Sequence, residues 1–155
     1  MSLARLRERV PSAFPLGCGL LKKHDLRSHK SSTDGSAKCD AYPTDNEQDI
    51  IYGALFEICP AEKHSLDRAE GLGYGYGEKE VTVMVANSEV VNAISYIAIN
   101  IDKSLLPYSW YVEHVLIVAK ETFLPKEYIQ VKIKAVETLD DKNKERDEKE
   151  RAIHS

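Results

Sequence analysis

Glycine stands at positions 71, 73, 75 and 77, alternating with Leu72, Tyr74 and Tyr76. Neither a helix interior nor a packed strand accommodates so many residues without side chains, so this segment is a turn from which aromatic groups project. It divides the middle of the chain. Before it, Pro60 suits the first turn of a helix that carries Lys63, Leu66, Asp67 and Ala69 and stops near Gly71. Glu70 therefore closes a helix, although a negative charge there opposes the helix dipole. After the turn, Val81, Val83 and Val85 alternate with Thr82 and Met84, which predicts a strand over 80–86. A second extended run over 93–99 contains Tyr96, and the two strands pair around Asn87-Ser88.

Working outward, apolar and basic residues alternate at helical spacing over 3–10 until Pro11 ends the pattern. Residues 20–29 are expected to form one strand. Residues 31–46, rich in Ser, Asp, Thr, Gly and Pro, read as an exposed loop that carries no chemistry. The β-branched and aromatic run over 49–58 predicts a mostly buried central strand, in which Gly53 permits close backbone approach. Tyr111, Val112, Val115, Leu116, Ala119 and Phe123 recur at helical spacing, Leu124-Pro125 breaks the run, and a second helix carries Tyr128, Val131, Ala135 and Val136. Beyond Leu139 charged residues dominate, as in a solvated helix or frayed tail. The expected organisation is one domain over 1–138 and a charged tail over 139–155.

Composition removes several function classes. A net charge of -4 is unsuited to capturing a phosphate backbone, so nucleic acid is not an expected partner. No apolar run is long enough to span a bilayer, so a membrane role is not expected and a cytoplasmic location is. Cys18, Cys39 and Cys59 are odd in number and widely spaced, which fits free thiols and neither a disulfide framework nor a zinc site.

Motif chemistry is equally selective. A dinucleotide-binding glycine loop needs glycine where Tyr76 stands, and needs a strand before it and a helix after it, the reverse of the order here. His24, His29, His64, His114 and His154 show no metal-ligand pairing, so no metal is expected. There is no Gly-x-Ser-x-Gly elbow to support a serine nucleophile.

A family resemblance rests on ordered segments: Tyr52-Gly53-Ala54-Leu55-Phe56-Glu57-Ile58, then Leu66-Asp67-Arg68-Ala69-Glu70-Gly71, then the Gly-Tyr turn and its strand. It continues through Ala93-Ile94-Ser95-Tyr96, Pro107-Tyr108-Ser109-Trp110-Tyr111 and Leu124-Pro125-Lys126-Glu127-Tyr128. In these the chain resembles the gamma-glutamylcyclotransferase-like family. The resemblance implies an α+β fold, a small mixed β-barrel flanked by helices, often assembled as a homodimer. It implies a small gamma-glutamyl substrate, cyclised to 5-oxoproline with release of an amine and without a cofactor. By motif position, Glu70 resembles the general acid/base, Tyr111 a substrate-contacting tyrosine, and Tyr96 an aromatic lining the same cavity, with Tyr76 placed to line it too.

One carboxylate suffices for such chemistry because the attacking amine and the amide it attacks belong to one molecule. Members begin with a strand leading into a Tyr-Gly-Ser-Asn loop that holds the glutamyl end. In this sequence Met1-Ser2 stands directly before the segment that follows the loop in members, so the expectation is a barrel lacking its first strand, with an unpaired sheet edge. A rival reading is a non-catalytic relative that binds a small ligand or a partner through the same cavity, with Glu70 as a binding carboxylate. Convergence of Glu70, Tyr96 and Tyr111 on one pocket separates catalysis from a Glu70 that points into solvent.

Overall fold

The computed structural model describes residues 1–155. Helix α1 (Leu3–Arg7) opens the chain, with Ser2 Oγ accepting from the Arg5 N–H as its cap. Strand β1 (Phe14–Lys22) follows, then β2 (His24–Ser31), β3 (Ala37–Pro43) and β4 (Ile50–Glu57). Helix α2 (Lys63–Glu70) precedes the hairpin of β5 (Tyr76–Met84) and β6 (Val90–Ala98). The chain closes with α3 (Ser109–Glu121), α4 (Lys126–Tyr128), whose path widens into a π-type helix over Ile129–Lys134, and α5 (Lys144–Ala152).

The strands form two antiparallel units. One is a four-stranded sheet in the order β4-β1-β5-β6, and the other is the β2-β3 ribbon. The fold is α+β, but the sheet is open and does not close into the expected barrel: β4 and β6 are its two edges. The β5-β6 hairpin runs in unbroken register from Tyr76 opposite Ala98 to Met84 opposite Val90. Its turn uses Asn87 and Ser88 at positive φ. Val81 and Val83 point inward and Thr82 outward, as their alternation requires. Gly19 on β1 lies opposite Gly53 on β4, and a Cβ at Gly19 would collide with Val83 Cγ1. That glycine lets β1 come close beside β5, which it meets at Leu20 opposite Met84.

Three sequence expectations are corrected. The single strand over 20–29 is two, because the chain reverses at Lys23 with φ 62°. The segment 31–46 is no loop: β2 extends to Ser31, β3 occupies Ala37–Pro43, and the turn-forming residues cluster in the short stretch between. The strand over 49–58 is an edge strand, not a central one. Its apolar character comes instead from Phe56 and Ile58 packing on Leu6, Val10 and Ala13, and from Tyr52 packing near Ala119, Leu124 and Ile133.

Residues past Leu139 fasten to α3 by polar contacts. Asp141 accepts from Trp110 Nε1 at 3.0 Å and from Arg146 Nε at 2.6 Å, and Glu150 meets His114 Nε2 at 3.0 Å. No helix is long and apolar enough to cross a membrane.

Candidate active site

Helix α2 brings Glu70 to the site and a glycine holds it there. Gly71, with φ 69°, caps α2 in the left-handed conformation. Its carbonyl then accepts the N–H groups of Tyr74 and Gly75 at 2.9 Å each, which winds the following turn tightly back on the helix end. The turn delivers Tyr76 to the start of β5, directly opposite the end of β6, two residues beyond Tyr96. Tyr111 comes from the first turn of α3.

These four residues, which the family resemblance assigns to one site, line a single cavity of about 750 Å³. The cavity is mostly apolar and lies along both edge strands of the open sheet, over α3. Glu70 is half-buried, and its carboxylate has no hydrogen-bond or ion-pair partner within the chain. A smaller cavity of about 390 Å³ near His24 and Lys79 contains none of the four.

The tyrosines, by contrast, are committed. Tyr96 Oη donates to Asp67 Oδ1 at 2.6 Å, and Lys63 Nζ donates to the same oxygen at 2.7 Å while also pairing with Glu78. Tyr76 Oη donates to the Cys39 carbonyl at 2.7 Å, and Tyr111 Oη accepts from the Cys39 N–H at 3.0 Å. The Tyr76 and Tyr96 rings meet edge to face, their centroids 6.4 Å apart.

Burial, followed by the charge of Glu70, raises the Tyr76 hydroxyl well above its ordinary value. Burial and the hydrogen bond to Asp67 do the same for Tyr96, and burial beside Cys39 does it for Tyr111. All three remain protonated phenols at neutral pH. The Cys39 thiol, which also faces the cavity, is pushed up by burial and is a poor thiolate nucleophile. Asp67 is held below the usual carboxylate range by Lys63 and then Tyr96, so its charge is already neutralised locally. Of Glu70, Asp67 and the three tyrosines, Glu70 is the one whose side chain has no hydrogen-bond or ion-pair partner within the chain. No group of three or more His, Cys, Asp or Glu side chains is disposed to hold a metal ion.

Sequence reasoning missed Cys39, Lys63 and Asp67. Asp67 had a signal, because a residue three before Glu70 shares its helix face and Lys63 stands four residues before Asp67. Cys39 had none, since its role is carried by its backbone.

The AIG2-like family matches residues 50–131, a little over half of the chain. No curated protein matches it at a significant level. Among solved structures, a protein described as gamma-glutamyl cyclotransferase is 27% identical with a TM-score of 0.84, covering 98% of this chain and 91% of that one. An uncharacterised protein from Homo sapiens is 28% identical with a TM-score of 0.83, over the same shares of the two chains. YkqA from Bacillus subtilis, 16% identical with a TM-score of 0.71, shares the fold over 88% of this chain and 49% of its own.

Proposed function

The chain belongs to the AIG2-like family, and from that premise we propose that it cyclises a small gamma-glutamyl compound to 5-oxoproline and releases an amine. The observation that carries this reading is the unpartnered carboxylate of Glu70 in a mostly apolar cavity, beside three tyrosines whose hydroxyls are already hydrogen-bonded within the chain. Likeness to a gamma-glutamyl cyclotransferase over nearly the whole chain supports it. A small-molecule substrate, a homodimeric assembly and a cytoplasmic setting belong to the same reading.

In this mechanism Glu70 takes one proton from the substrate's α-ammonium group. The freed amine attacks the γ-carbonyl carbon of the same molecule, closing a five-membered ring without a second encounter. Glu70 returns the proton to the leaving nitrogen as the old carbon–nitrogen bond breaks. The ring nitrogen sheds its second proton, which departs on the released amine as an ammonium ion. Tyr76, Tyr96 and Tyr111, fixed as neutral phenols, orient the substrate over Glu70.

The test is release of 5-oxoproline from a panel of gamma-glutamyl amino acids, gamma-glutamyl amines and glutathione by the chain and by Glu70→Gln. The expected result is turnover by the chain and a loss of roughly 10²- to 10⁴-fold in the variant, the usual weight of a general acid–base group. A folded chain that turns over none of the panel, yet binds one of its members, is a ligand-binding relative and the reading fails.

A further inference from the structure

A hydroxyl group can donate one hydrogen bond and accept two, so a ligand beside a tyrosine meets whichever capacity the protein leaves over. In this cavity one residue's backbone makes that choice for two tyrosines. The Cys39 carbonyl takes the Tyr76 proton, at 2.7 Å, and leaves Tyr76 Oη with only lone pairs to offer. The Cys39 N–H donates to Tyr111 Oη, at 3.0 Å, and leaves Tyr111 its proton beside the Cys39 thiol, a weak acceptor that an oxygen brought by a ligand displaces. Tyr96, its proton held by Asp67, is an acceptor like Tyr76.

The backbone at Cys39 needs a fixed place for this to work, and the next residue supplies it. The Asp40 side chain is wholly inaccessible to solvent and bridges two strands other than its own. Its Oδ2 accepts from His29 Nε2 on β2 at 2.6 Å, and its Oδ1 accepts from the Ala98 N–H on β6 at 2.8 Å. Ala98 is the residue that pairs with Tyr76 in the β5-β6 register. The clamp thus ties β3 to the strand position that also places Tyr76. A buried carboxylate with both oxygens matched to donors costs little to keep and much to disturb, because its loss strands two buried N–H groups.

We propose that Asp40 is a positioning residue that sets the hydrogen-bonding sense of the cavity, making Tyr111 a donor and Tyr76 an acceptor. A ligand oxygen then belongs at Tyr111, and a ligand N–H group belongs between Tyr76, Tyr96 and Glu70. For the substrate class this rests on the cyclotransferase reading. There the γ-carbonyl oxygen sits at Tyr111, which stabilises the charge that develops on it during ring closure. The α-ammonium group sits among the two acceptors and the carboxylate that deprotonates it. The hydroxyl assignment itself is independent of that reading.

The test uses the full chain labelled with ¹³C at the tyrosine ζ carbon, whose resonance reports hydroxyl hydrogen bonding, with signals assigned through Tyr→Phe variants. In Asp40→Ala the Tyr76 and Tyr111 resonances are expected to move while Tyr96, tied to Asp67, stays in place. Asp40→Asn, which keeps an oxygen for the Ala98 N–H, is expected to bring both back toward their original positions. Turnover per folded molecule is expected to fall roughly ten- to a hundredfold in Asp40→Ala, as for a reacting group displaced by a fraction of an ångström, with partial recovery in Asp40→Asn. Unchanged Tyr76 and Tyr111 resonances in folded Asp40→Ala overturn the proposal. If that variant does not fold, His29→Ala, which removes one arm of the clamp, decides by the same two resonances. A parent chain that releases no 5-oxoproline overturns the cyclotransferase reading and leaves the resonance comparison to decide on Asp40.

Discussion

Tyr96 Oη donates to Asp67 Oδ1 across 2.6 Å, joining the β6 edge of the sheet to the helix that ends in Glu70. Lys63, one turn before Asp67 on the same helix, shares that oxygen at 2.7 Å. The bond therefore fixes both the aromatic wall of the cavity and the pitch of α2 beneath Glu70. Because both partners are partly open to solvent, its worth is that of an ordinary bond to a charged group reduced by water, about 1 kcal/mol. A double-mutant cycle of Tyr96→Phe and Asp67→Ala, followed by urea unfolding, is expected to give a coupling of about that size. Strictly additive losses would show that the two residues do not act together.

Gly71 has φ 69°, and a Cβ added there would meet only the Gly75 nitrogen, at 3.8 Å. The obstacle to a side chain is thus backbone conformation and not space. Gly71→Ala is expected to lower stability by roughly 1–2 kcal/mol, the cost of holding an L-residue in the left-handed region. Gly71→Asn should lose less, since asparagine visits that region more readily. Thermal unfolding of the two variants provides the check, and equal losses would point to a steric cause instead.

Much of this arrangement was legible in the sequence. Val81 and Val83 announce the β5 strand by alternation, and the glycines after Glu70 end α2 where their left-handed preference dictates. Glu70, Tyr76, Tyr96 and Tyr111 were all named before their convergence on one cavity was visible. What stayed hidden follows a physical pattern. Asp40 and His29 are polar residues buried because they satisfy one another, and hydropathy counts such residues as surface. The β3 segment therefore reads as part of a loop, and β2 as the continuation of the strand before it. The edge position of β4 depends on which segments pair with it, and local composition does not encode that. Cys39 acts through its N–H and carbonyl, which every residue other than proline possesses.

Asp141 anchors the segment before α5, accepting from Trp110 Nε1 and from two nitrogens of Arg146. Those Arg146 hydrogen bonds, outweighing burial, hold its carboxyl well below the usual carboxylate range. The folded value is depressed, so Asp141 contributes stability above its unfolded value and loses it as pH falls toward the folded one. A fall in Tm is thus expected to begin near about pH 4, the unfolded value for an aspartate, and to deepen with further acid. Asp141→Asn should start with a lower Tm at neutral pH and show a shallower acid slope. Parallel slopes for the two proteins between neutral and acid pH would assign the acid sensitivity to other groups.

Gly19 pairs with Gly53 across the β1-β4 ladder, and Gly53 lines the cavity. A methyl group at Gly19 would run into Val83 Cγ1, whereas one at Gly53 meets nothing within 4 Å. The two glycines look equivalent in sequence and in register, yet steric cost separates them. Gly19→Ala is expected to destabilise by about 1–3 kcal/mol, the range for overpacking a filled interior. Val83→Ala alone also destabilises, by leaving a gap, but combined with Gly19→Ala it vacates the space that the new methyl needs. The double variant should therefore be more stable than the sum of the two single losses predicts. Chemical denaturation of the four proteins measures that difference, and simple additivity would mean that β1 shifts away from β5 to accept the methyl.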